Sequence, residues 1–237
     1  MEARRPSVHA ILYLLFTEGH LSVQAESTLR RELCQEAIRL GTILAHHRVG
    51  QDPQTCALMA LMHLHIARLD SRQDADGGLL LLAEQDRSRW DQGAIALGLQ
   101  WLERSAVGEV FSRYHAEAAI AAEHCLAPSM AETRWDRVAA AYALLEQSPI
   151  HRLNRAVAVA EHAGPAAGLA VLDGSVPPTW LVGSYQWAAV LSDLHRRAGH
   201  LEKARAHRDT ALALAPTAAT RALLERRLTS AHPQTVA

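Results

Sequence analysis

The chain has 237 residues, of which 49% are apolar, and a formal charge of −1. That length holds one large or two small domains with a sizeable core. The near-neutral balance lacks the clustered basic charge that phosphate contact needs, so no direct DNA binding by this chain is expected.

Helical periodicity runs through the sequence and no alternating strand pattern stands out. Pro6 to Phe16 reads as a first apolar helix that Glu18-Gly19-His20 ends. Ser27 suits the cap of a second helix, with Leu29, Leu33, Ala37, Leu40 and Leu44 on one face. Asp52 followed by Pro53 is an N-cap with proline at the first helical position, and the helix runs to about Leu69. Asp74-Ala75-Asp76-Gly77-Gly78 reads as a turn, and Leu79 to Leu82 as a strand or a buried helix end. Asp91 caps a helix reaching about Ser105; the next spans Ser112 to Leu126, stopped by Pro128.

The second half is more regular. Thr133 with Asp136 resembles a capping box. Ser148-Pro149 starts a helix ending at Gly164, and Pro165 starts another. Further helices cover Ser184 to Ala198, Leu201 to Ala215 and Ala218 to Leu228, ahead of a frayed tail from His232 to Ala237. Gly164 and Gly199 lie 35 residues apart, each joining two short helices. The tetratricopeptide repeat has a period of about 34 residues, with small residues where two helices must approach. Leu191, Ser192, Gly199, Ala204, Ala211 and Pro216 fall where that pattern wants leucine, small, glycine, alanine, alanine and proline. His195 and Arg208 replace its two usual aromatics. The expected fold is all-α: an irregular helical bundle over 1–130 continuing into tetratricopeptide-like, solenoid-like hairpins over 131–231, with 232–237 as the tail.

No HExxH, Glu-x-x-His, GxGxxG, phosphate-loop or GxSxG motif occurs, which argues against zinc proteases, di-iron bundles, dinucleotide enzymes and serine hydrolases. The expectation is therefore no enzyme and no cofactor. Fourteen histidines invite a metal reading. Yet His63 and His65, and likewise His46 and His47, are spaced to point apart on a helix. Only a folded chain would tell whether His20, His115 and His124 converge. Cys34, Cys56 and Cys125 form no CxxC pair, so neither a disulfide framework nor a zinc ribbon is expected, and a reduced, cytoplasmic setting fits. The apolar run Ala10 to Phe16 is too short to span a bilayer. Arg4 and Arg5 mimic a signal-peptide start, but Glu18 follows without a cleavage site.

Several segments, in order, resemble one known family. They are Ile11-Leu12-Tyr13-Leu14-Leu15-Phe16-Thr17-Glu18-Gly19-His20, Leu33 to Leu40 (LCQEAIRL), Leu58 to Arg68 (LMALMHLHIAR), Gln85 to Asp91 (QDRSRWD), and Leu153 to Ala160 (LNRAVAVA) ahead of Gly164-Pro165. The family is the C-terminal extension of a group of extracytoplasmic-function (ECF) sigma factors, which carries a tetratricopeptide-like portion. Thr17 stands where that pattern usually has asparagine, and Glu84 where it has aspartate. The polymerase-binding and helix-turn-helix domains of such a sigma factor do not fit in this chain. The resemblance implies a regulatory or interaction module of transcription initiation. Its expected partners are the sigma core domains and, through them, RNA polymerase, besides a small ligand or protein partner; no membrane is involved.

Residues 84–91 concentrate charge around a tryptophan. For Asp86, Arg87, Arg89, Trp90 and Asp91, one reading is a structural ion network with Trp90 in the core and Asp91 as a cap. The other is a pocket, with arginines for an anion, Trp90 as a stacking wall and carboxylates fixing the arginines. Tyr13, Glu18, His65 and Arg68 are candidates as members of one polar cluster with this segment. The alternative function is accordingly a small-molecule sensor, or an enzyme, built on residues 86–91.

Overall fold

The computed structural model describes residues 4–21, 30–74, 80–145, 148–174 and 177–229. Its described residues form α-helices and short 3-10 turns with no β-strand; the fold is all-α. The chain divides into two compact units. One comprises Met1–Arg72 and Leu82–Thr133; the other comprises Gln73–Leu81 and Arg134–Ala237.

The first unit contains α1 (Arg5–Leu21), α2 (Arg31–His46), α3 (Pro53–Ile66), α4 (Gln92–Ser105) and α5 (Arg113–Leu126). Helix α3 is its axis. Thr55 to Met62 and Leu64 are all buried, so the helix is apolar all round and enclosed by its neighbours. Glycines let those neighbours in. A Cβ on Gly41 of α2 would lie 2.6 Å from Met59 Sδ, and one on Gly98 of α4 would lie 2.7 Å from Leu64 Cγ. Leu12, Phe16, Trp90, Ile95, Trp101 and Tyr114 complete the core.

The second unit contains α6 (Trp135–Leu144), α7 (Pro149–Ala163), α8 (Pro165–Leu172), the single turn α9 (Thr179–Val182), α10 (Tyr185–Arg197), α11 (Leu201–Ala213) and α12 (Ala218–Thr229). Its helices pack as neighbouring pairs, α7 with α8 and α10 with α11. Small residues govern the approach: a Cβ on Gly168 would stand 2.6 Å from Ala160 Cβ. Across the second pair the Ser192 hydroxyl donates to the Ala204 carbonyl at 2.9 Å, and Ala211 is fully buried. Gly164 and Gly199 turn the chain at φ of 90° and 79°, a left-handed conformation that glycine adopts without strain.

Several boundaries differ from the sequence reading. Helix α1 continues through Glu18, Gly19 and His20. Gly19 serves packing rather than termination, because a Cβ there would meet the Arg30 carbonyl and Cys34 Sγ at 2.8 Å. The buried face of α2 is Cys34, Ala37, Gly41 and Ala45, with Leu33, Leu40 and Leu44 at its half-buried margin. The expected cap Ser27, Leu29, the turn residues 75–78, Leu79 and the tail 232–237 lie outside the described residues. Helix α3 stops at Ile66, followed by a 3-10 turn at Leu69–Ser71, and Leu82–Glu84 is another such turn rather than strand or helix end. The Thr133 capping box does not form: Arg134 occupies the N-cap position and makes no side-chain capping bond, and the Thr133 hydroxyl donates to the Ser129 carbonyl. The turn α9 has no counterpart in the sequence reading.

Candidate functional site

The segment Gln85–Asp91 is a 3-10 turn, Arg87–Arg89, held between two caps. Asp86 Oδ1 accepts from the Ser88 N–H at 2.9 Å and from its hydroxyl at 2.6 Å. Those bonds hold the Asp86 carboxyl below its usual pKa. Asp91 Oδ1 accepts from the Ala94 N–H at 2.9 Å and caps α4, while its own N–H donates to the Ala67 carbonyl at the end of α3. Both carboxylates thus serve their own turns, and neither fixes an arginine.

Arg87 points inward. Its Nη1 donates to the His124 and Ala127 carbonyls at 2.6 and 2.7 Å, satisfying acceptors that the C-terminus of α5 leaves open. Its guanidinium carbon stands 4.6 Å from the Trp90 ring centroid, and that of Arg68 stands 5.2 Å from the same centroid. Trp90 is 3% exposed. Arg89, by contrast, is exposed and makes one long bond, 3.5 Å, to the Asp70 carbonyl.

The expected ion network is absent for a structural reason. Among the described residues Arg68, Arg72 and Arg87 have no carboxylate within ion-pair distance. Arg72 donates to the His20 carbonyl, Arg68 reaches Gln85 Oε1 at 3.5 Å, and Arg87 takes the two α5 carbonyls. Burial, the first cause, lowers the pKa of all three, Arg72 to about 10; repulsion by Arg87 adds to it at Arg68, and repulsion by Arg68 adds to it at Arg72, while Glu132 partly offsets it at Arg87. Histidines line the same region. His20 is stacked on Phe16, and its ring lies 4.8 Å from that of His65. Burial, aided by the neighbouring arginines, pushes His65 down to about 3 and His124 to about 4; His20 moves the same way. These imidazoles are neutral at neutral pH.

The nine sequence candidates therefore separate. His65, Arg68, Arg87 and Trp90 come together. Asp86, Arg89 and Asp91 lie on the outer side of the same segment. Tyr13 belongs elsewhere: its hydroxyl accepts from Arg113 Nη2 at 3.2 Å, and Arg113 in turn pairs with Glu117 at 2.7 Å. Burial, then the Glu117 charge, pushes the Tyr13 hydroxyl up to about 12. Glu18 is exposed, with Arg30 at 3.3 Å. His65 lies against Phe16 and His20, whereas His63 feels the charge of Asp91. His20 and His124 both neighbour His65, whereas His115 sits in the cap of α5: its Nδ1 accepts the Ser112 N–H and its Nε2 donates to the Ser105 carbonyl. No group of three metal-ligating side chains suited to a metal occurs among the described residues.

Sequence reasoning missed Arg72, Gln85, Arg113 and His9. His9 closes a buried chain in which its Nε2 meets the Thr55 hydroxyl at 2.8 Å, and Thr55 donates to Asp52 Oδ2 at 2.7 Å. Arg68 and Arg72 flank the 3-10 turn Leu69–Ser71 beyond the end of α3, so helical spacing gave no signal for Arg72. Trp180 on α9 is 61% exposed, whereas Trp187 packs on the α7–α8 core and Tyr185 on the α10–α12 core. No helix among the described residues is long and apolar enough to cross a membrane.

Residues 4–106 match a family described as of unknown function (DUF6596). The chain is similar to an uncharacterized protein of Rhizobium meliloti (strain 1021), 33% identical over 239 residues that cover 99% of this chain. The chain spans 56% of that relative's length. No solved structure matches.

Proposed function

We propose that this chain is a regulatory, protein-interaction module of an ECF RNA polymerase sigma factor, acting in transcription initiation through intramolecular or partner contacts rather than by catalysis. One observation carries the reading: the first four segments behind the family resemblance interlock in one unit. The Phe16 carbonyl meets Cys34 Sγ at 3.6 Å, Gly41 receives Met59 and Met62, His20 lies against His65, and Asp91 bonds Ala67. A signature made of one folded unit is what a transferable module requires. The paired helices of the second unit suit the same role, because stacked hairpins present extended surfaces to partners.

A module of this kind biases its sigma domains only if it binds their active and inactive arrangements with different affinity. The Rhizobium meliloti relative offers the test. The part of it that this chain does not match is expressed alone and with the matched part, and promoter-directed transcription with core RNA polymerase is measured. The expected result is transcription by the unmatched part that changes several-fold when the matched part is present. An unmatched part that neither binds core polymerase nor directs transcription overturns the reading. Arg89→Ala is the informative substitution for docking, because Arg89 is exposed whereas Trp90 supports the core.

A second reading, a small-molecule sensor, is favoured by one specific feature: the arginines around Trp90 lack carboxylates.

A further inference from the structure

Arg68 Nε, Arg87 Nη2 and Trp90 Nε1 are each sealed from solvent, and none has a hydrogen-bond partner. All three are obligate donors. Buried donors without acceptors are rare in folded proteins, and each costs about 1–3 kcal/mol when left unmet. Here they are gathered at one place, since both guanidinium carbons lie within 5.2 Å of the centroid of the indole that carries the third donor. Stacking a cation on Trp90 accounts for part of the arrangement, because the ring face attracts positive charge. It leaves the three N–H groups unanswered.

Charge adds a second, independent mismatch. Arg68 lies close enough to Arg72 and Arg87 for repulsion, and among the described residues no carboxylate approaches the three within ion-pair distance. A buried charge of this kind is tolerated when it is paired. In the second unit Arg197 meets Glu161 at 2.5 Å and Asp193 at 3.5 Å. Around Trp90 no such pair forms, and Glu132 acts on Arg87 only from beyond ion-pair distance.

We propose that Arg68, Arg87 and Trp90 form a binding site for one small oxyanion of the size of phosphate or sulfate, beside the 3-10 turn Arg87–Arg89. An oxyanion supplies several acceptors and negative charge together. A water molecule supplies acceptors but brings two donors of its own to a place already rich in donors, and leaves the repulsion in force. The planar guanidinium fork is the side chain best matched to such an ion. Asp86 caps the turn through Ser88, so the turn is held without its carboxylate meeting these arginines. The inference stands apart from the sigma-factor reading, and either holds or fails without the other.

Because the donors are sealed, the test uses reversible urea unfolding of the full chain, in which the site opens and closes at equilibrium. Midpoints are measured against inorganic phosphate at constant ionic strength, with chloride as the balancing ion. Phosphate also stabilises proteins generally by exclusion from their surfaces, an effect that rises without saturating. The site instead predicts a saturating rise that reports a dissociation constant. Arg68→Met and Trp90→Phe, which remove donors while keeping apolar bulk, are expected to weaken that constant at least tenfold each. Arg89→Ala, outside the site, is expected to leave it unchanged. A midpoint that rises linearly and equally in wild type, Arg68→Met and Arg89→Ala overturns the proposal. So does saturation that survives both Arg68→Met and Trp90→Phe. Should either variant fail to fold, phosphorus NMR of wild-type protein decides: one bound phosphate in slow exchange supports the site, and a free-phosphate spectrum overturns it.

Discussion

The two units of this chain solve the problem of a helical core with different materials. In the first, α3 is wrapped on all sides and the interior is filled by Leu58, Met59, Met62, Leu64, Trp90 and Trp101. In the second, pairs of helices meet through Ala156, Ala160, Ala188, Ala189 and Ala211, with a few leucines between. The treatment of buried charge differs in the same direction. Arg196 and Arg197 each meet a carboxylate, Asp193 and Glu161, whereas Arg68, Arg72 and Arg87 rest on carbonyls and an indole. In the second unit carboxylates answer the buried charge; around Trp90 main-chain carbonyls and the indole face do so instead. That contrast, more than the motif itself, distinguishes residues 85–91 as a candidate site.

The largest test of the contrast is a matched pair of core truncations. Leu64 and Leu194 are both buried, at 0% and 1% exposure. Leucine-to-alanine changes in cores cost about 2–5 kcal/mol, depending on how far the surroundings collapse. Leu64 lies in an enclosed core against Gly98, and the lost volume has no route to solvent. Leu64→Ala is expected near the upper end of that range, and Leu194→Ala, in a thinner paired-helix layer, near the lower end. Urea midpoints, with hydrogen exchange assigning each loss to its unit, measure both. Equal losses would remove the proposed difference between the two cores.

Acid gives the next effect. His65 and His124 are held down to about 3 and 4, mainly by burial and then by Arg68, Arg72 and Arg87, and His20 is lowered too. In the unfolded chain each titrates near 6.5. Between those values the unfolded state binds protons that the folded state refuses, so stability is complete above pH 6.5 and is lost as pH falls toward 4. The limiting slope is about 1.4 kcal/mol per pH unit for each histidine. In the second unit His195 and His207 are lowered in the same direction, but they are not enclosed by arginines. Amide exchange at pH 7 and pH 5 should therefore show the first unit weakening more. Equal protection at both pH values would sink the account of the histidine cluster.

A smaller effect separates two neighbours in the 3-10 turn. Arg87→Ala removes two bonds to the end of α5 and the contact with Trp90, an expected loss of about 1–3 kcal/mol. Arg89→Ala, exposed with one long bond, is expected to stay within about 0.5 kcal/mol. Similar melting shifts for the two would mean that Arg87 does not hold α5.

How much of this was legible depends on the range of the interaction. The caps at Asp52 and Asp91, and the helix starts at Ser148 and Ser184, were readable because a cap is settled within three residues. Gly164 and Gly199 were readable for the same reason. Gly19 was misread as a stop, since its partners on Arg30 and Cys34 lie in another helix. Trp90 and the grouping of His65 with Arg68 were anticipated from residue type and spacing. The partners of Arg87 were not: they are main-chain carbonyls 37 and 40 residues away, and a carbonyl leaves no trace in residue identity. Tyr13 was assigned to the wrong neighbours because its partner Arg113 is 100 residues distant.

The smallest prediction asks whether the units differ in their turns as well as their cores. Gly108 in the first unit and Gly199 in the second have φ of 83° and 79°, and a Cβ on either would meet no atom within 4 Å. Neither glycine is therefore required by packing. Alanine at each position meets only the left-handed backbone penalty of about 1–2 kcal/mol, offset by about 0.4–1 kcal/mol from the reduced freedom of the unfolded chain. Gly108→Ala and Gly199→Ala should each lower stability by about 1 kcal/mol, and by the same amount. Matching losses would confine the difference between the units to their interiors. A markedly larger loss at Gly199 would mean that the hairpin between α10 and α11 depends on its turn for the pairing of Ser192 with Ala204, and the helical pairs would then be less self-sufficient than their buried alanines imply.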